Sequence, residues 1–135
     1  MLRQDDFIKS HLVTIGYNQG KEYGGHLAAG MVMNCIANRV RAGWGSWLEV
    51  IEKIPQYAAE ENILNTIPSL WDVNFIRLLT DVEGIFDGSA KDTSSGGIYW
   101  ADTRRITRKW FLKEIARNHQ DHPVVANMNS LNCYR

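Results

Sequence analysis

Apolar residues recur at helical spacing through most of the chain. Ile8, Leu12 and Ile15 form a stripe behind Asp5 and Asp6, either of which can cap a first helix running to about Tyr17. Gly16, Gly20, Gly24 and Gly25 then read as a break. From Ala28 to about Ala42 the pattern changes. Met31, Val32, Met33, Cys35, Ile36 and Val40 are spread all round the helix, as in the buried central helix of a domain. Arg39 and Arg41 suit its carboxyl-terminal end, and Gly43 its stop. A short helix from Ser46 to Ile54 follows, anchored by Trp47 with Val50 and Ile51 behind it, and Pro55 ends it. Asp72 is placed to cap the best amphipathic helix. There Phe75, Ile76, Leu79, Val82 and Phe86 recur at spacings of three and four, and Gly88 terminates the run.

Residues 87–98 are rich in Asp, Ser, Thr and Gly and read as a loop. Thr107 is placed to cap a further helix bearing Trp110, Phe111 and Ile115. The tail from His122 has little periodicity, and Val124 and Val125 are its docking residues. Strand signals are sparse, and a short hairpin near residues 96–100 is the most the pattern allows. The expected fold is mainly α (α+β): one compact helical domain over residues 1–135, around a buried central helix.

Composition narrows the function classes. A chain of 135 residues, 44% hydrophobic and 22% charged, is one globular domain and neither disordered nor repetitive. Fifteen Lys and Arg balance fifteen Asp and Glu. That neutrality argues against a nucleic-acid partner. No apolar run approaches the ~18 residues of a membrane span, so no membrane insertion is expected. The amino terminus lacks the charged-then-apolar secretory pattern, so synthesis without a signal peptide is expected. Cys35 and Cys133 are too few for a disulfide framework, and Cys35 reads as a small buried hydrophobe. Arg104, Arg105, Arg108, Lys109, Lys113 and Arg117 gather around the single acid Glu114. That run is a solvated helix face, or else a docking patch for an anionic wall polymer or for nucleic acid, the last weakened by the overall neutrality. His119 and His122 are followed at once by Pro123 and lack a metal-binding signature, so neither a metal nor another cofactor is expected.

The residue that bears on chemistry is Glu22. It lies in Gly20-Lys-Glu-Tyr-Gly-Gly25, just ahead of the apolar helix. A carboxylate pressed against apolar surface has its acid form favoured, which suits a general acid near neutral pH. The alternative is a solvated loop glutamate paired with Lys21.

Read whole, Glu22-Tyr-Gly-Gly-His-Leu-Ala-Ala-Gly30, with the apolar stretch that ends in Asn38-Arg39-Val40, resembles the opening of the cell-wall hydrolases of the spore-cortex-lytic SleB type. Pro55-Gln56-Tyr57-Ala58 is similar to the Gln-Phe-Ser segment of that family. Asp87-Gly88, followed by Asp92-Thr-Ser-Ser-Gly-Gly-Ile-Tyr-Trp100, is similar to its Asp-x-Thr-x-Gly-Ala…Tyr loop. The likeness covers roughly residues 7–102. The helix before Asn38 is about two residues shorter than in the family, and His26 stands where a second acid is common.

The resemblance implies a lysozyme-like domain that cuts peptidoglycan glycan strands between N-acetylmuramic acid and N-acetylglucosamine. Glu22 would be the catalytic acid, and Gln56, Tyr57 and Tyr99 would line the sugar groove. Trp47 and Trp110 read as core or rim packing. Asp87 and Asp92 are the candidates for a second carboxylate, with Asp92 also suited to shaping its own loop through an Asx turn. If neither serves, one glutamate acts as acid and then as base, which is the lytic transglycosylase scheme. The implied setting is a phage-type lysis protein. The rival class is a non-catalytic glycan-binding or virion structural module with a hydrolase-like fold.

Overall fold

The computed structural model describes residues 4–57, 72–105 and 123–135. Helix α1 (Gln4–Gly20) is followed by a single 3-10 turn (Lys21–Tyr23) and by α2 (Gly25–Arg41). Helices α3 (Trp47–Tyr57) and α4 (Val73–Asp87) come next. Three short strands complete the order: β1 (Tyr99–Asp102), β2 (Val124–Met128) and β3 (Leu131–Tyr134). The architecture is α+β, mainly helical, with α1, α3 and α4 packed around α2 and a small sheet at its side.

Helix α2 is the central helix that its pattern predicts. Every residue from Ala28 to Ala37 is buried. Helix α1 differs from expectation: it runs straight through Gly16 to Gly20. The two glycines sit four apart on one helix face, where α1 crosses α2. A Cβ on Gly20 would fall 2.6 Å from the Ala29 Cα, and one on Gly16 2.5 Å from the Met33 Cγ. They are contact points for close backbone approach, and they do not break the helix.

Helix α3 continues to Tyr57, two residues past Pro55. A proline removes the one helical bond its own nitrogen would donate, and a helix near its end absorbs that loss. Its start is fixed by a capping box: the Glu49 N–H donates to Ser46 Oγ, and the Ser46 N–H to Glu49 Oε1, both at 3.2 Å. Trp47 packs on Phe86 with ring centroids 5.0 Å apart.

Helix α4 has the predicted ends. Asp72 Oδ1 accepts from the N–H groups of Asn74 and Phe75, and Gly88 closes the helix in the left-handed region at φ 84°. Its buried face is rotated from the predicted stripe. Leu78, Val82 and Ile85 are buried, with Phe75 and Phe86 partly so, while Ile76 and Leu79 are 48% and 44% exposed. Periodicity alone does not choose between the two stripes, since both keep helical spacing.

The sheet is a larger correction. Residues 96–100 form no hairpin of their own. Strand β1 pairs antiparallel with β3, Tyr99 opposite Tyr134 and Asp102 opposite Leu131, and β2 pairs on the other side of β3. The apparently patternless tail is therefore a hairpin. Its two-residue turn, Asn129-Ser130, places Asn129 at φ 54°, a conformation asparagine tolerates well. Cys133 and Cys35 are both buried free thiols that meet Met31 in a small cluster between β3 and α2. Burial, then the neighbouring Cys133, pushes the Cys35 thiol well above its ordinary value.

The helix expected from Thr107, with Trp110, Phe111 and Ile115, lies outside the described residues. So do the basic run from Arg108 to Arg117 and His119 and His122. Among the described residues no helix is long and apolar enough to cross a membrane.

Candidate functional site at the head of the central helix

Glu22 sits in the 3-10 turn between α1 and α2 and is exposed. That exposure differs from the apolar setting its segment suggests. Its turn is instead clamped on two sides by polar and backbone contacts. On the side of α4, the His26 N–H donates to Asn74 Oδ1 at 3.0 Å. Lys21 Nζ donates to the Tyr17 hydroxyl at 2.9 Å, and that hydroxyl donates to Asp72 Oδ2 at 2.6 Å. The Tyr17 hydrogen bond is the first of several that hold the Asp72 carboxyl below its usual range.

On the side of the sheet, Asn129 Nδ2 donates to the Tyr23 carbonyl, and Gly24 faces Met128 so closely that a Cβ would meet its sulfur. Beside Glu22, the Tyr23 hydroxyl donates to Asp102 Oδ2 at 2.7 Å. Asp102 also accepts from Arg104: Nη2 at 3.1 Å, Nε at 3.2 Å and the backbone N–H at 2.8 Å. Burial works to raise the Asp102 pKa, but the hydrogen bonds from Arg104 and Tyr23 outweigh it and hold the carboxyl far below its usual range. Burial, then hydrogen bonding to Asp102 and to Glu22, pushes the Tyr23 phenol well above its ordinary value.

The other end of α2 holds a second constellation. Asn38 Nδ2 lies 2.9 Å from Asp92 Oδ2, 3.1 Å from Ser94 Oγ and 2.9 Å from the Gly97 carbonyl. One turn earlier, Asn34 donates to Thr93 Oγ1 at 3.0 Å. Asp92 accepts further from the Ser94 N–H and hydroxyl and from the Gly96 N–H. The Asx turn is therefore present, and both Asp92 oxygens hold the loop. Burial raises its pKa, but these bonds, led by that of the Ser94 side chain, leave the carboxyl below its usual value.

Arg39 is 95% buried, with 5% of its surface exposed. Its Nε donates to the Ile98 carbonyl at 2.7 Å, and its guanidinium lies over the rings of Trp100, Trp44 and Tyr99 at 4.6, 5.0 and 5.7 Å. Tyr99 packs edge-on to Trp44. Asn38 and Arg39 thus fasten the 92–98 loop to the central helix.

The two ends are far apart. At a rise of about 1.5 Å per residue, Gly25 and Asn38 are separated by roughly 20 Å along the axis. Asp92 is bound to Asn38, and Arg41 Nη2 donates to the Ile85 carbonyl near Asp87, so both aspartates lie at the tail of α2. Paired glycosidase carboxylates stand roughly 5–10 Å apart. Neither Asp87 nor Asp92 is placed to be the partner of Glu22. Tyr99, packed by Trp44 and Arg39, shares the tail end. Gln56 and Tyr57 fall in the last turn of α3, and their side chains lie outside the described residues.

No sequence signal singles out Tyr23 or Asp102, and Arg104 stands there only as part of the basic run. Tyr23 and Asp102 are 79 positions apart, and neither lies in a motif that points to the other. Among the described residues no three His, Cys, Asp or Glu side chains group as a metal site. The chain matches no family model, no curated protein and no solved structure.

Proposed function

We propose that the protein is a lysozyme-like enzyme that cleaves peptidoglycan glycan strands between N-acetylmuramic acid and N-acetylglucosamine, with Glu22 as the acid. The observation that carries the reading is the meeting of two separately quoted segments. Asn38-Arg39 and Asp92–Ile98 belong to different parts of the family-like pattern, and they grip each other through four side-chain hydrogen bonds. Glu22, the third element, opens the same helix from its other end.

The chemistry follows from where the two candidate partners, Asp87 and Asp92, lie. A general acid must protonate the glycosidic oxygen, and an exposed glutamate at the head of a rigid helix can reach a long substrate lying in a cleft. With Asp87 and Asp92 at the far end of α2, Glu22 serves as acid and then as base. It gives its proton to the leaving oxygen and then, as carboxylate, takes a proton from the 6-hydroxyl of the muramic acid. That hydroxyl closes on the anomeric carbon, and the product carries a 1,6-anhydro ring. The enzyme is therefore a lytic transglycosylase in this reading. Tyr99, with Trp44 and Trp100, offers aromatic surface for sugar rings farther along the strand. Gln56 and Tyr57 belong to the same groove by resemblance.

The competing reading is a glycan-binding module without activity, favoured by His26 in the place of the second acid. Glu22→Gln separates the two. It keeps the shape and removes the proton, so lysis of purified walls should fall by the ~10²–10⁴-fold typical of losing a general acid. A parent protein that folds and binds walls but never lyses them supports the module instead.

A further inference from the structure

Two thiols from distant parts of the chain meet in one dry cluster. Cys35 lies midway along α2 and Cys133 in β3, and both residues are 0% exposed. Met31 is the third buried member of that cluster. Gly97 shows how near the two cysteines stand. A Cβ built on it would fall 3.0 Å from the Cys133 Cβ and 3.2 Å from the Cys35 Sγ. Both atoms therefore border the space of a single methyl group, and glycine at position 97 keeps that space open. The strand register agrees. Cys35 Sγ lies 3.8 Å from the Tyr99 carbonyl oxygen, and the next residue, Trp100, is the register partner of Cys133. That is the neighbourhood a disulfide requires: bridged β-carbons stand about 4 Å apart, with no third group between the sulfurs.

We infer that Cys35 and Cys133 are a cross-linking site, at which a small-molecule disulfide oxidant joins the two thiols as an intramolecular disulfide that fastens β3 to the central helix. The cross-link does not depend on the role given to Glu22. Neither thiol is open to an oxidant in the folded chain, and burial favours the unreactive thiol form of Cys35. The exchange therefore runs through a local opening of the β2–β3 hairpin away from α2. In the open state one cysteine loses its proton to solvent, and its thiolate attacks the S–S bond of the oxidant. A mixed disulfide forms and one small thiolate leaves. The other cysteine, also as thiolate, attacks the protein sulfur of the mixed disulfide, forms the Cys35–Cys133 bond and expels the second small thiolate. Both cysteines are oxidised, the oxidant is reduced to two thiols, and the hairpin closes over the new bond. The link reaches beyond β3. Asn129 in the β2–β3 turn holds the Tyr23 carbonyl, and Met128 lies against Gly24. A bond at Cys133 ties that support of the Glu22 turn to the middle of α2.

The test uses the full chain, equilibrated in mild urea with either reduced or oxidised glutathione and then returned to buffer. After alkylation under denaturing conditions, the reduced sample should carry an alkyl group on each cysteine. The oxidised sample should carry none, weigh two hydrogens less before alkylation, and yield a proteolytic fragment that joins the Cys35 and Cys133 peptides. It should also melt on the order of 10 °C above the reduced sample, because the bond closes a long loop in the unfolded chain. Dithiothreitol added to the oxidised sample should return the midpoint to the reduced value. Both samples have the parent sequence, so no substitution can spoil the fold. Free thiols, glutathione adducts or linked dimers in place of the internal bond would overturn the inference. So would an internal bond that leaves the midpoint unchanged or lowers it, since the native packing would then not accommodate the link. A raised midpoint that survives dithiothreitol would place the gain elsewhere and overturn it as well.

Discussion

Three carboxylates on this chain sit in different surroundings, which set what each can do. Glu22 is exposed at a helix head, Asp92 is enclosed by its own loop, and Asp102 is buried against Arg104. The last two have folded pKa values below the ordinary carboxylate value near 4. In the acid range the unfolded chain therefore binds more protons than the folded one. The stability these groups contribute is fully present above about pH 4 and is lost as the pH falls through their lowered folded values. Thermal melts from pH 6 down to 2 should show a falling midpoint, with a shallower fall in Asp102→Asn. Parallel curves for the two proteins would mean that Asp102 is not held as described. The Asx turn of Asp92 was legible in the sequence because its partners lie two and four residues away. The Tyr23–Asp102 bond was not, because nothing local to either residue records a contact closed by the fold.

Elements with strong local signals are the ones the sequence specifies best. Helix α2 is apolar all round and becomes central. Helix α4 carries Asp72 before it and Gly88 after it and begins and ends there. The failures have physical causes. Gly16 and Gly20 carry a low helix propensity, which tertiary packing overrides where α1 and α2 touch. Strands β1 and β3 are four residues each, too short for alternation to stand out, and their pairing is long-range. The glycine contact makes a graded prediction. A methyl at Gly20 would meet the backbone of Ala28 and Ala29 at 2.6–2.8 Å, which cannot move aside. At Gly16 the closest atoms belong to the flexible side chain of Met33. Gly20→Ala should therefore destabilise at the upper end of the ~1–3 kcal/mol typical of overpacking, and Gly16→Ala less. Melting midpoints decide it, and equal losses would show that the crossing is not as tight at Gly20 as drawn.

At the scale of the whole molecule, α2 carries a polar constellation at each of its ends. Its tail holds the 92–98 loop through Asn38 and Arg39, and its head adjoins the Glu22 turn, steadied by the carboxyl-terminal hairpin. A glycan strand running along this axis would meet the acid at one end and aromatic rings at the other. The most direct measurement is mass spectrometry of purified peptidoglycan after digestion with the parent protein and with Glu22→Gln in parallel. The proposed scheme, with Glu22 as acid and then base, predicts new fragments ending in 1,6-anhydro-muramic acid from the parent and nearly none from the variant. Reducing muramic acid ends from the parent would contradict the single-carboxylate scheme, and equal cleavage by both proteins would remove Glu22 from the chemistry altogether.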